Sequence, residues 1–159
     1  MSQLSHFDES GASRMVDVGA KPVSERVARA SGCVAMSPET LRTIHDRKVT
    51  KGDVLEVARL AGIMAAKKTS ELIPLCHALP LDCVTIDFRV LDDQTLGLEA
   101  TVRVQARTGV EMEALTAVSV AALTVYDMCK SLDRGMTLGP FVLVEKSGGK
   151  SGRYVRGGS

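Results

Sequence analysis

Between residues 84 and 104 apolar side chains fall on every second position, and that alternation confines the chain to folds built on an antiparallel sheet with one buried face. Val84, Ile86, Phe88 and Val90 alternate with Thr85, Asp87 and Arg89. After Asp92-Asp93 a second set, Leu96, Leu98, Ala100, Val102 and Val104, does the same. A period of two is that of a strand whose side chains point alternately to opposite faces. Two such strands joined by a turn form an amphipathic hairpin, apolar toward a core and polar toward water.

The remaining elements follow from local signals. The run 27–36 is small, apolar and interrupted by Gly32, which fits a strand. Ser37-Pro38-Glu39 starts a short helix to about residue 46, with a capping hydroxyl, a proline in the first turn and an acid behind it. Asp53 caps the next helix with Glu56 three residues on, and Val54, Leu55, Val57, Ala58, Leu60, Ala61 and Met64 give it a broad apolar face. It should end by Lys68 or Glu71, ahead of Pro74. A long helix follows Gly109, from residue 110 to about 132, and Phe141 to Val144 read as a last strand. Residues 15–18 read as a short extended segment, 1–13 as a flexible arm, and the end from Lys146 as a Gly/Lys-rich tail. Strand, helices, strand, strand, helix, strand is the order of the ferredoxin-like α+β class, a four-stranded antiparallel sheet with helices on one face. The 159 residues allow one such domain, spanning 14–159.

Composition excludes several functions. Twenty Lys+Arg against nineteen Asp+Glu leave +1, too little to draw the whole chain onto nucleic acid or an anionic membrane. Two Tyr, three Phe and no Trp offer little for base stacking, which argues against an RNA-binding module. Cys33, Cys76, Cys83 and Cys129 form no C-x-x-C, and His6, His45 and His77 no H-x-x-x-H, so zinc-ligand spacing is absent and buried, reduced thiols are expected. The arm is polar, and the longest uncharged apolar stretch, 114–126, is shorter than the roughly 20 residues of a membrane span. A soluble cytoplasmic protein is the expectation.

Several constellations could carry chemistry. Asp127 and Lys130 stand at i and i+3 on the long helix and can form one ion-paired acid/base unit, although a solvated pair at a helix end has the same spacing. Glu113 and Asp127 lie about 40° apart around that helix but roughly 21 Å apart along it. They share a face yet cannot meet on one small group. Leu75-Cys76-His77 occupies a loop after Pro74, where an imidazole can be offered to a ligand or simply packed. Lys51, Lys67 and Lys68 flank the second helix. The segment 146–152 has three glycines and two lysines, enough to wrap a phosphate, but its spacing is not that of a Walker A loop.

Taken together, six ordered stretches carry a family resemblance. Met15 to Val18, Lys51 to Val54, Leu72 to His77, Thr108 to Ala117, Tyr126 to Lys130 and Lys146 to Gly152 resemble the molybdenum cofactor biosynthesis protein C family, the cyclic pyranopterin monophosphate synthases. Ala78 is a departure, since proline usually follows the Cys-His pair in that pattern. The resemblance implies a lyase that converts 3′,8-cyclo-7,8-dihydroguanosine 5′-triphosphate into cyclic pyranopterin monophosphate and pyrophosphate. It implies Asp127 as catalytic acid/base with Lys51 and Lys130 beside it. Leu75, Cys76, His77, Met112 and Glu113 match its substrate-binding segments, and Lys67, Lys146, Lys150 and Arg26 are candidates for the triphosphate. No redox cofactor is implied; Mg²⁺ could assist the leaving pyrophosphate, although no carboxylate cluster demands it. The family's form is a homohexamer, a trimer of dimers, and the separation of Glu113 from Asp127 independently predicts a site shared across a dimer interface. A non-catalytic ligand sensor on the same fold would not need Lys51, Asp127 or Lys130, and is distinguished by its lack of turnover.

Overall fold

The computed structural model describes residues 6, 8, 10–49 and 52–157. Ten elements follow in order: β1 (Ser24–Ala35), α1 (Pro38–His45), α2 (Val54–Lys67), α3 (Thr69–Leu72), β2 (Cys83–Val90), β3 (Thr95–Ala106), α4 (Glu111–Cys129), β4 (Thr137–Leu138), β5 (Val142–Ser147) and β6 (Tyr154–Val155). The caps form as their residue types require. Ser37 Oγ accepts from the Thr40 amide at 3.2 Å, and Asp53 Oδ1 accepts from the Leu55 and Glu56 amides at 3.1 and 3.2 Å. Each satisfies amides that would otherwise lack an intrahelical partner.

The sheet runs β2-β3-β1-β5-β6 with every neighbour antiparallel, and β4 pairs with the end of β1. Its first four strands reproduce the ferredoxin-like order, and α2 and α4 pack on each other and on this sheet. Two features extend the expected four-stranded layout. The two-residue β4 lies ahead of Gly139-Pro140, and β6 turns the C-terminal segment back onto β5, so the expected tail is a hairpin through residue 157. Residues 15–18 stay outside the sheet. The alternation holds along β3, where Leu96, Leu98, Ala100, Val102 and Val104 are at most 2% exposed. In the edge strand β2 only Ile86 is buried, Val84 being half-buried and Val90 51% exposed, which corrects the expected apolar face there. Phe88 is only half-buried, its outer side covered by the Arg59 guanidinium 5.3 Å from the ring centroid. Cys129 is buried, whereas Cys33, Cys76 and Cys83 are half-buried free thiols, which corrects the expectation that most lie inside.

Strand directions fix the helices. Because β1 and β2 each run antiparallel to β3, they are parallel to one another, and α2 between them runs back. The same reasoning applied to β3 and β5 sends α4 the opposite way, so α2 and α4 are antiparallel. They meet at Gly62, where a Cβ would overlap Ile86 Cδ1 and lie 2.8 Å from the Ala117 carbonyl oxygen and 3.3 Å from Ala121 Cβ. Alanine ordinarily gains about 1 kcal/mol over glycine inside a helix. Here we expect Gly62→Ala to lose about 1–3 kcal/mol instead, because the obstructing oxygen is helix backbone. Urea unfolding decides the sign, and a stabilised variant would refute the close approach.

By length and composition α4, nineteen residues with a mean hydropathy of 1.3, could cross a membrane. Half of it is buried inside the protein, with Ala114, Ala117, Val118, Ala121, Ala122, Val125 and Cys129 fully inaccessible between α2 and the sheet. Its apolar character is that of a core helix.

Candidate functional site

Two cavities open at the end of the fold where α4 begins. The larger, about 660 Å³, is walled by Lys21, Arg26, Arg107, Lys146, Lys150 and the backbone of Gly148 and Gly149, with Glu111 as its carboxylate. The smaller, about 300 Å³, is walled by Leu75, Cys76, His77, Met112 and Glu113, and closed by Val16, Val18 and His6 from the N-terminal segment. Lys21, Thr108, Gly109 and Glu111 belong to both. The two therefore form one groove, cationic at one end and lined by an imidazole, a thiol and a carboxylate at the other.

The cationic end is built by β1, β5 and the turn after β5. Arg26 is only 9% exposed on the core side of β1, where its Nε and Nη2 donate to the Ala106 and Arg107 carbonyls, each at 3.3 Å. Those acceptors hold the guanidinium without neutralising it, and a buried charge held this way suits an anionic ligand. Gly148 and Gly149 turn over it with φ of +97° and +73°; a Cβ on the first would overlap the Glu25 carbonyl oxygen, and on the second the Arg26 Nη1. Lys146 Nζ donates to Ser151 Oγ, and Arg153 and Arg29 both hold Glu145, at 2.7 and 3.1 Å, which ties this hairpin to the sheet.

At the other end Glu113 is 4% exposed in the first turn of α4. Burial pushes its carboxyl up from the ordinary range, its own backbone N–H pulls the other way, and the charge of Glu111 adds to the rise. Burial likewise raises the Cys76 thiol, with Glu113 contributing. His77 Nε2 lies 2.8 Å from the Val16 carbonyl oxygen, although Ala78 beside it lacks the proline of the family pattern.

An acid whose pKa is raised by folding adds stability that is complete below its unfolded value, here 4.5, and lost as pH climbs through the folded value. Glu113→Gln is therefore expected to melt higher than the parent chain at pH 8 and level with it near pH 4 in a thermal-unfolding series. A variant destabilised across that whole range would contradict the burial argument.

Asp127 and Lys130 do pair, Nζ to Oδ1 at 2.7 Å, and the carboxylate raises the lysine pKa by its hydrogen bond and then its charge. Both are exposed, so the pair adds little to stability. They stand at the last turn of α4, in neither cavity, and since α2 is antiparallel to α4 they share that end of the fold with the start of α2 at Asp53. Lys51 lies outside the described residues. Lys67 ends α2, exposed and on neither cavity wall. Arg26, Lys146 and Lys150 come together, as do Leu75, Cys76, His77, Met112 and Glu113, while Asp127 and Lys130 stay apart from both groups. Lys21, Arg107, Thr108 and Glu111 were missed as site residues; only the Thr108-Gly109-Val110-Glu111 stretch carried a signal for them. No cluster of three or more His, Cys, Asp or Glu able to hold a metal occurs among the described residues.

A sequence model of the MoaC family matches residues 15–149. The chain is 59% identical over 157 residues to a cyclic pyranopterin monophosphate synthase of Thermomicrobium roseum, covering 98% of this chain and 95% of that one. It is 57% identical over 155 residues to the same-named protein of Brevibacillus brevis, with 98% and 97% covered. Against cyclic pyranopterin monophosphate synthase 1 of Mycobacterium tuberculosis H37Rv it is 58% identical over 156 residues, with 98% and 92% covered. With a family match over residues 15–149 and relatives 57–59% identical over 98% of its length, the chain belongs to the MoaC family.

Proposed function

We propose that the chain is a cyclic pyranopterin monophosphate synthase of molybdenum cofactor biosynthesis, a lyase acting on 3′,8-cyclo-7,8-dihydroguanosine 5′-triphosphate. The observation that carries this reading is the continuous two-ended groove: cations and glycine amides at one end, Glu113 and His77 at the other, joined through Thr108, Gly109 and Glu111. A nucleotide-derived ligand has the same polarity. Its phosphates suit Arg26, Lys146 and Lys150, with Lys21 and Arg107 beside them, and its purine-derived ring suits Leu75, Cys76, His77, Met112 and Glu113.

The chemistry asked of the site is proton transfer during ring opening and reclosure, and displacement of pyrophosphate as a cyclic phosphate closes. Asp127 is the acid/base in this reading, paired with Lys130 and joined by Lys51. Because that pair stands roughly 21 Å along α4 from Glu113, the groove of one subunit is completed by the far end of α4 in another. This supports a dimeric unit and, with the family's form, a homohexamer with sites at the dimer interface. Lys67, on neither cavity wall, reaches phosphate in this reading only from a neighbouring subunit. The reading includes no bound cofactor, with Mg²⁺ as optional help to the leaving group, a cytoplasmic location, and neither nucleic acid nor membrane as partner.

Incubation of the purified protein with the cyclic dihydro-GTP intermediate, measuring pyrophosphate and pterin product, tests the proposal. Stoichiometric release of both is expected, and EDTA treatment reports on the metal. Binding without turnover would favour the ligand-sensor reading.

A further inference from the structure

The contact between His77 and the N-terminal segment fixes more than a position. A carbonyl oxygen can only accept, so the 2.8 Å contact from Val16 requires the proton on Nε2. In a neutral imidazole the other nitrogen is then an acceptor. Val16 and Val18 come from a segment outside the sheet, whereas His77 comes from the loop between α3 and β2, so two otherwise separate pieces of chain meet over one cavity. We infer that the Val16 backbone carbonyl is a positioning group that locks His77 in its Nε2–H form, leaving Nδ1 to accept from an N–H or O–H on the ligand ring. The ring end of the groove then presents two acceptors, His77 Nδ1 and the Glu113 carboxylate, and selects a ring edge that carries donors. The lock stands on geometry alone; its meaning for the ligand deepens the proposed function.

Only three histidines occur in the chain, and removal of residues 1–17 deletes His6 while leaving His77 and the exposed His45. Long-range ¹H–¹⁵N spectra of histidine-labelled protein, recorded without substrate at about pH 8 where a free imidazole is neutral, read the tautomer directly. In the full chain His77 should show a protonated Nε2 and a bare Nδ1; in the shortened chain it should average both forms, as an unrestrained imidazole does. A proton on Nδ1, protons on both nitrogens, or an unchanged Nε2–H form in a folded shortened chain would each overturn the lock.

Should the shortened chain fail to fold, two full-length substitutions decide. The amide of His77→Gln reaches the Nε2 position and can still donate to Val16, whereas His77→Asn reaches only the Nδ1 position. Trypsin should cleave after the exposed Arg14 at the parent rate in H77Q and several-fold faster in H77N; equal rates would count against the contact. A chain that shows the locked tautomer but releases no pyrophosphate would sink the catalytic reading and leave this one standing.

Discussion

Asp127→Asn is expected to lower kcat by about 10²–10⁴-fold, the usual contribution of a positioned general acid or base, with little change in KM. Its partner Lys130 sits 2.7 Å away at the end of α4, while the groove lies at the start of that helix, so substrate binding should survive the loss. The same separation gives a sharper test. Chains carrying Asp127→Asn and chains carrying Glu113→Ala should each be inactive and should regain activity when unfolded together and refolded. Random pairing makes half of all dimers mixed, and each mixed dimer has one intact site of two, so about a quarter of parent activity should return under two-fold symmetry. Activity that stays at the level of the separate variants would mean that each site is built from a single chain.

Gly149→Ala should weaken phosphate binding at the cationic end through Arg26. The new methyl would overlap Arg26 Nη1, and φ of +73° already disfavours any side chain there. Arg26 cannot easily yield, because the Ala106 and Arg107 carbonyls hold it in a buried position. Losing one charged hydrogen bond to a phosphate costs about 1.5–3 kcal/mol, so KM should rise by about ten- to a hundredfold. Gly152→Ala separates collision from backbone strain, since Gly152 has φ of +63° but open space around it and lines neither cavity. Equal effects at the two glycines would assign the loss to strain and remove Arg26 from the explanation.

Much of this architecture was legible because it rests on local periodicity. Residues 84–104 announce β2 and β3, and Ser37 and Asp53 mark the starts of α1 and α2. What escaped depended on distant partners. β1 begins at Ser24, ahead of the expected 27, because buried Arg26 is satisfied by carbonyls at the end of β3, which no apolar pattern records. β5 continues through Glu145 and Lys146 to Ser147, since Glu145 is neutralised by Arg29 of β1 and Arg153 near β6. The two-residue β6 has no pattern of its own. α4 ends at Cys129, short of the expected 132, with Lys130 as its cap.

The candidate site divides along the same line. Contiguous stretches such as 75–77 and 111–113 exposed themselves as motifs, whereas Lys21 and Arg107 are isolated cations whose role appears only once the chain is folded around the groove. The pairing of Asp127 with Lys130 followed from helix spacing. Its distance from the groove followed from the same arithmetic, which is why a second subunit could be expected from the sequence.

The Cys76 thiol acquires a meaning beyond packing once the ring chemistry is considered. Opening and reclosing a purine-derived ring passes through carbon electrophiles, and a thiolate within reach would trap them as dead-end adducts. Burial and the neighbouring Glu113 charge both keep this sulfur protonated, and a protonated thiol is a poor nucleophile. In the proposed reading the groove offers its ligand a soft, polarizable wall whose raised thiol pKa disfavours a covalent bond.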